Sequence, residues 1–330
     1  MSTETVNNKE PWLSFLEKEY LWCEKGTVQR DVSSALKDMF LSTDHDNAAH
    51  TAAHQFNTYY WERVNKRQSF KWGKREPWVD YISFLYQIIV RLAPVVRYDD
   101  VRQDILVQLI VELRNLPPNP VKGPYGDRLA PPSDNMLFAQ IVDEYWRGLW
   151  GKYLTSFTFS PSGTKSRDGE RNIDIHLTAS SNWRFPEPAQ WKQRCDEWLN
   201  LSCFIARCVQ ARLDDELFLE GSYPFFAIED GLKGNIDDPI KRDCWVLIAA
   251  QYFLLAAPAL DEEFIQRPTK KNPDWGVDKW KYWAKRFGEL EGGTLLAPEV
   301  KRAVADARKK MISLRPELFT VSEGGAKPEE

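Results

Sequence analysis

Asp238-Pro-Ile-Lys-Arg-Asp-Cys244-Trp-Val-Leu-Ile-Ala-Ala-Gln251-Tyr-Phe-Leu-Leu255 is the stretch whose reading decides the fold. Asp238 suits an N-cap, and Pro239 suits the first helical turn, where a missing N–H costs nothing. From Cys244 onward the run is apolar on every face, with Gln251 alone among rings and aliphatics. A helix apolar all round belongs in the middle of a bundle, so this segment is expected to be the central, most buried helix. The apolar run Cys244 to Leu260 is interrupted by Gln251 and Pro258. It falls short of the ~20 residues that a membrane-spanning helix needs, so no membrane span is expected.

The same three-and-four spacing recurs on both sides of it. Helices are expected over Pro11–Trp22, Asp31–Leu41, Asp44–Gln68, Pro77–Leu92 and Tyr98–Asn115. Further on they are expected over Asp134–Tyr153, Pro188–Leu213, Asp274–Leu290 and Pro298–Leu314. Leu116–Pro132 holds six prolines, a density that no helix or central strand survives. It reads as a crossing segment, the alternative being a Pro-rich ligand motif. Ser160–Asn182 reads as a polar loop, and the alternation of Ile173, Ile175 and Leu177 as a short β-ribbon. The predicted class is all-α: about nine or ten helices in two packed sub-bundles sharing one core. The expected organisation is a loose terminus at 1–10, a helical half at 11–116, the crossing at 117–132, a second half at 133–316, and a loose tail at 317–330.

Composition narrows the function classes. With 44 Lys and Arg against 48 Asp and Glu, the chain lacks the basic excess of a general nucleic-acid binder. The aromatic-basic stretch Tyr59–Trp78 would suit single-stranded nucleic acid, but rings packing inward beside solvated cations explain it as well. Aromatic residues at 13% exceed what a small core requires and point to ring-lined surfaces or pockets. The five cysteines are odd in number and form no CxxC, so they read as reduced thiols in a cytoplasmic protein. The first ten residues lack the apolar core of a secretory signal.

No GxGxxG, GxxxxGK[ST] or GxSxG occurs, so no nucleotide cofactor and no hydrolase elbow is expected. His50 and His54 share a helix face, but Thr51 stands where a zincin needs Glu. A polar helix face is the reading there, with a metal-dependent enzyme as the minor alternative and no metal ligand assigned.

The most informative residues are polar ones inside apolar helices. Within Pro188–Leu213, Trp191, Cys195, Trp198, Ser202, Ile205 and Val209 make one stripe, and Asn200, Phe204, Arg207 and Ala211 make the next. Asn200, Arg207 and Gln251 must each find hydrogen-bond partners if buried. Those partners are either protein groups, such as Asp243 or helix-end carbonyls for Arg207, or a ligand in an aromatic-walled cavity. On the second alternative Arg207, Asn200 and Gln251 are the candidate catalytic donors, and Trp198, Phe204, Trp245 and Tyr252 the candidate substrate-binding walls.

Glu197-Trp-Leu-Asn-Leu-Ser-Cys-Phe-Ile-Ala-Arg207 resembles the Asn-Leu-x-x-Phe-x-Ala-Arg core of a large fungal family of helical proteins, known only as a domain of unknown function. The Val32–Phe40 helix, the run from Trp78 through Pro94 to Leu116-Pro117, the helix around Trp245, and Trp280-x-x-Trp283-x-x-Arg286 before Met311 follow in the family's order. The resemblance spans residues 10 to 315 and departs at Ser160–Asn182. It implies a fungal, intracellular, all-helical protein and supplies no catalytic residues. A weaker similarity is to the hetero-Diels–Alderases of fungal tropolone-sesquiterpenoid biosynthesis, with no residue motif to carry over.

The function expected is a cofactor-free enzyme of fungal secondary metabolism acting on an apolar small molecule. In its concrete form this is a pericyclase joining a tropolone quinone methide to a cyclic sesquiterpene alkene. Such chemistry needs two partners held close and a donor on the heterodiene carbonyl. The alternative is a non-catalytic helical interaction module docking a protein partner through aromatic surface.

Overall fold

A computed structural model describes residues 10–65, 77–116, 138, 141–142, 188–213, 223–233, 236–266 and 276–320. Among these residues ten α-helices and no strands occur. They are α1 (Pro11–Glu19), α2 (Val28–Leu41), α3 (His45–Asn65), α4 (Pro77–Leu92), α5 (Val101–Asn115), α6 (Pro188–Gln210), α7 (Tyr223–Lys233), α8 (Pro239–Asp261), α9 (Val277–Gly292) and α10 (Pro298–Leu314). The all-α expectation and its helix number hold. Ser160–Asn182, the β-ribbon, the prolines of 117–132 and most of Asp134–Tyr153 lie outside the described residues.

Local chemistry sets the ends. Thr27 accepts a hydrogen bond from the Arg30 amide at 3.3 Å, so α2 begins three residues before the apolar spacing suggests. The Asp100 carboxylate caps α5 through the Arg102 amide at 2.9 Å, which places Tyr98 before the helix rather than in it. Tyr223–Lys233 was not expected from the spacing; Pro224 and Gly231 within it are turn signals by composition. Gly231 is there because α7 crosses α8 closely. A Cβ at that position would stand 2.5 Å from the Trp245 carbonyl oxygen and 2.8 Å from the Ala249 Cβ.

α8 is the hub, packed against α6, α7 and α10. It is longer than its sequence suggests and runs straight through Pro258 to Asp261, then through a π-helical turn at Glu262–Gln266. Proline at 258 leaves the Leu254 carbonyl without its helical donor. The Lys310 ammonium of α10 supplies one at 2.6 Å, so the interruption is repaired from the neighbouring helix. Pro239–Gln266 is therefore a 28-residue helical rod, longer than the apolar run Cys244 to Leu260 within it and by length and composition alone able to cross a membrane. In this fold 67% of its most apolar window is buried inside the protein.

One continuous core joins the two halves, from Trp12 and Phe40 to Trp280 and Met311. Buried polar ties fix its periphery. Glu229 of α7 takes the Trp283 indole at 2.6 Å and Lys279 at 3.0 Å, binding α7 to α9. Asp261 receives a two-pronged contact from Arg315 at 2.7 and 2.8 Å. That contact anchors a 3-10 turn at Pro316–Leu318, inside the stretch expected to be loose.

Candidate functional site

The eight-residue run Asn200 to Arg207 sits in the middle of α6 and faces the short connection between α4 and α5. Asn200 donates to the Pro94 carbonyl at 2.8 Å and accepts the Tyr98 amide at 2.8 Å. Arg207, two helical turns on, donates to the Tyr98 carbonyl at 2.9 Å and to Asp104 at 2.6 Å. Gln103 of α5 closes the arrangement, giving its amide to the carbonyls of Ala93 at 2.9 Å and Val96 at 2.8 Å. The α4–α5 connection turns through a 3-10 helix at Ala93–Val95 and is neither helix nor sheet beyond it. Its buried backbone groups lack ladder partners, and these three side chains provide them.

The seven residues singled out from the sequence thus fall in different places. Asn200 and Arg207 hold backbone, and the partner of Arg207 is Asp104 and a loop carbonyl, not Asp243. Gln251 is half-buried on α8. Phe204 and Tyr252 are wholly enclosed in the core, Phe204 against Phe138 at 6.4 Å between ring centres. Among the described residues the Tyr252 hydroxyl is buried without a hydrogen-bond partner, and burial pushes its pKa well up. Trp198 and Trp245 alone stand together at an opening, 6.2 Å apart. Gln103 was missed; its signal was an amide on the apolar face that Leu106 and Ile110 continue at three and seven residues.

That opening is a half-open cleft at the seam of α6 and α8, lined by Trp191, Arg194, Cys195, Trp198, Lys241, Cys244 and Trp245. Helical spacing builds it. Trp191, Cys195 and Trp198 follow one stripe of α6, while Lys241, Cys244 and Trp245 follow one stripe of α8. Asp238 fixes the start of α8 by accepting the amides of Ile240 at 2.9 Å and Lys241 at 3.0 Å. The Lys241 ammonium then lies 3.7 Å from the centre of the Trp191 ring, a cation–π contact. Arg194 and Lys241 are the charged residues of the lining among the described residues, with the Asp196 and Asp238 carboxylates acting on Cys195 nearby. Its enclosed volume is about 30 Å³.

The cysteines divide by environment. Cys203 and Cys208 are sealed in the core, and burial pushes the Cys203 thiol up to about 12 and Cys208 well above its usual value. Cys244 is buried at the back of the cleft and donates to the Cys195 carbonyl at 3.4 Å. Cys195 is half-buried, and the neighbouring Cys244 thiol lowers its pKa, making it the more acidic of the two, while the Cys244 pKa rises.

A second cleft, about 150 Å³, lies between α2 and α3 over Ala35, Met39, Ala48 and Ala52. Its rim residue Asp44 caps α3 through the Asn47 amide at 3.3 Å. His50 and His54 lie side by side with tilted rings, centres 4.4 Å apart, and the Nδ1 of His50 is 2.9 Å from Glu112 of α5. Among the described residues no three His, Cys, Asp or Glu side chains are grouped to hold a metal ion. In the aromatic-basic stretch, Tyr60 is fully buried and Trp61 donates to Asn57 at 2.9 Å; residues 66–76 lie outside the described residues.

A family model for a protein of unknown function, DUF3632, matches residues 86–287, about three-fifths of the chain. The chain belongs to the DUF3632 family. The match begins in α4 and ends in α9, so it contains the whole clamp on the α4–α5 connection and the whole indole cleft. No curated protein and no solved structure matches the chain.

Proposed function

We propose that this DUF3632 protein is a helical interaction module that receives an apolar side chain of a protein partner, flanked by acidic groups, in the indole cleft between α6 and α8. The observation that carries the reading is the cleft's size and make-up. About 30 Å³ is a fifth of the ~150 Å³ that a dry cavity uses to hold benzene, and far below the ~300–1,000 Å³ of small-molecule sites. Such a notch takes only the tip of one small apolar side chain, the rest of which lies outside it. Buried indoles at the centre of a contact are where binding energy concentrates in protein interfaces. Lys241, held over the Trp191 ring at the cleft, favours an acidic residue beside the inserted group.

A pericyclase holding a quinone methide and a sesquiterpene together needs a larger chamber and inward-facing donors. Asn200 and Arg207 face the α4–α5 backbone instead, which lends that reading less support.

A photoreactive phenylalanine analogue at Trp191, compared with one at the exposed Arg302 of α10, tests the proposal in a lysate of the cells that express the protein. The expected result is a cross-linked protein specific to position 191. A synthetic peptide of its cross-linked segment, carrying an apolar residue between acids, should compete for the site, and Lys241→Glu should abolish that competition. Cross-linking to small molecules alone, or an identical protein pattern from both positions, overturns it.

A further inference from the structure

The interaction reading does not use the two thiols of the cleft, and they carry an inference of their own. Cys195 and Cys244 come from different helices, α6 and α8, and line one opening; the Cys244 sulfur lies 3.4 Å from the Cys195 carbonyl oxygen. Two of the remaining cysteines, Cys203 and Cys208, are sealed in the core, and Cys23 follows α1 and is not among the residues that line the cleft. The pair is therefore asymmetric: one half-buried thiol faces the opening and the other is held behind it. The adjoining Cys244 thiol does most to favour negative charge on the outer sulfur and Lys241 adds to it, against burial and the nearby Asp196 and Asp238 carboxylates.

We propose that Cys195 and Cys244 form a modification site for hydroperoxides, with Cys195 the attacking thiolate and Cys244 the resolving thiol. In the first step the Cys195 sulfur attacks the outer oxygen of the peroxide. The O–O bond breaks, the leaving alkoxide or hydroxide takes a proton from solvent, and Cys195 becomes a sulfenic acid. The sulfur is oxidised by two electrons and the peroxide reduced by two. In the second step the Cys244 sulfur attacks the Cys195 sulfur, the S–S bond forms, the S–O bond breaks, and hydroxide leaves with the thiol's proton as water. A half-buried Cys195 at the opening, with the buried Cys244 sulfur within 3.4 Å of its carbonyl oxygen, is the arrangement such a site requires. The disulfide would tie α6 to α8 across the cleft, so oxidation would close the same opening that the interaction reading uses. The inference stands on the thiols whether or not that reading holds.

The test treats the folded full-length chain with a small excess of hydrogen peroxide and then counts free thiols and maps peptides. Of the five free thiols, three should remain, with a peptide pair joined through Cys195 and Cys244. In Cys244→Ser the disulfide should be lost, and a sulfenic-acid trap such as dimedone should label Cys195. In Cys195→Ser the oxidant should leave Cys244 unmodified, because burial keeps its thiol protonated. Five free thiols after treatment of the wild-type chain, or oxidation that falls first on Cys23, overturns the proposal. Circular dichroism of both variants separates a failure to fold from a failure to react.

Discussion

Replacing Asn200 with alanine removes two hydrogen bonds at once and leaves both partners without a substitute. The Pro94 carbonyl loses its donor and the Tyr98 amide its acceptor, each held at 2.8 Å in the intact chain. An orphaned buried backbone group costs about 1–3 kcal/mol. Pro94 is buried and takes the upper part of that range, whereas Tyr98 is half-buried and takes the lower part. The sum is about 2–4 kcal/mol. With a urea slope of roughly 3 kcal/mol per molar for a chain of this size, the unfolding midpoint should fall by about 1 M. Asn200→Asp keeps the acceptor for Tyr98 but sets a carboxylate against the Pro94 carbonyl, so it should be no more stable than the alanine variant. Urea titration followed by far-UV circular dichroism reads both. A midpoint for Asn200→Ala equal to that of the parent chain would refute the clamp and return Asn200 to the pool of ligand-facing donors.

Gly231→Ala should destabilise by about 1–3 kcal/mol in the same titration, because its Cβ meets the α8 backbone at 2.5 Å and one helix must move. Tyr252→Phe should be neutral or stabilise by up to about 1 kcal/mol, since it removes a buried hydroxyl that has no partner; a loss above that would show the hydroxyl is bonded. Glu112 has its acidity strengthened chiefly by the hydrogen bond from His50. Its folded value lies below its unfolded one, so its contribution is complete above the ordinary carboxylate value and fades as pH falls through the folded value. Wild-type and Glu112→Gln midpoints should therefore differ at pH 6 and converge toward pH 3, and a gap that persists at pH 3 would contradict the ion pair.

The fold was legible wherever burial alone sets the structure. Apolar spacing placed α4 and α10 to the residue, and the all-apolar face after Cys244 marked α8 as the hub. It was less legible where a distant group decides the outcome. Pro258 reads as a helix stop, because nothing local shows that Lys310, 52 positions later, will supply the missing donor to Leu254. The candidate site shows the same division. Asn200 and Arg207 were rightly seen to need partners, yet spacing along one helix does not say whether those partners are a ligand or the α4–α5 connection. Trp198 and Trp245 were singled out as walls, and they do flank an opening. The thiol pair was invisible because Cys195 and Cys244 are 49 residues apart and meet only when α6 packs on α8.

Amide hydrogen exchange at Tyr98 probes the Asn200 clamp most directly. Its N–H points to a side-chain oxygen, not to a helical carbonyl, so any protection it has comes from Asn200. The clamp predicts exchange nearly as slow as that of the α5 interior around Leu106 and Leu109, and fast exchange there in Asn200→Ala. A Tyr98 amide that exchanges at the rate of an open loop in the parent chain would contradict the assignment of the Asn200–Arg207 motif to the architecture of this protein.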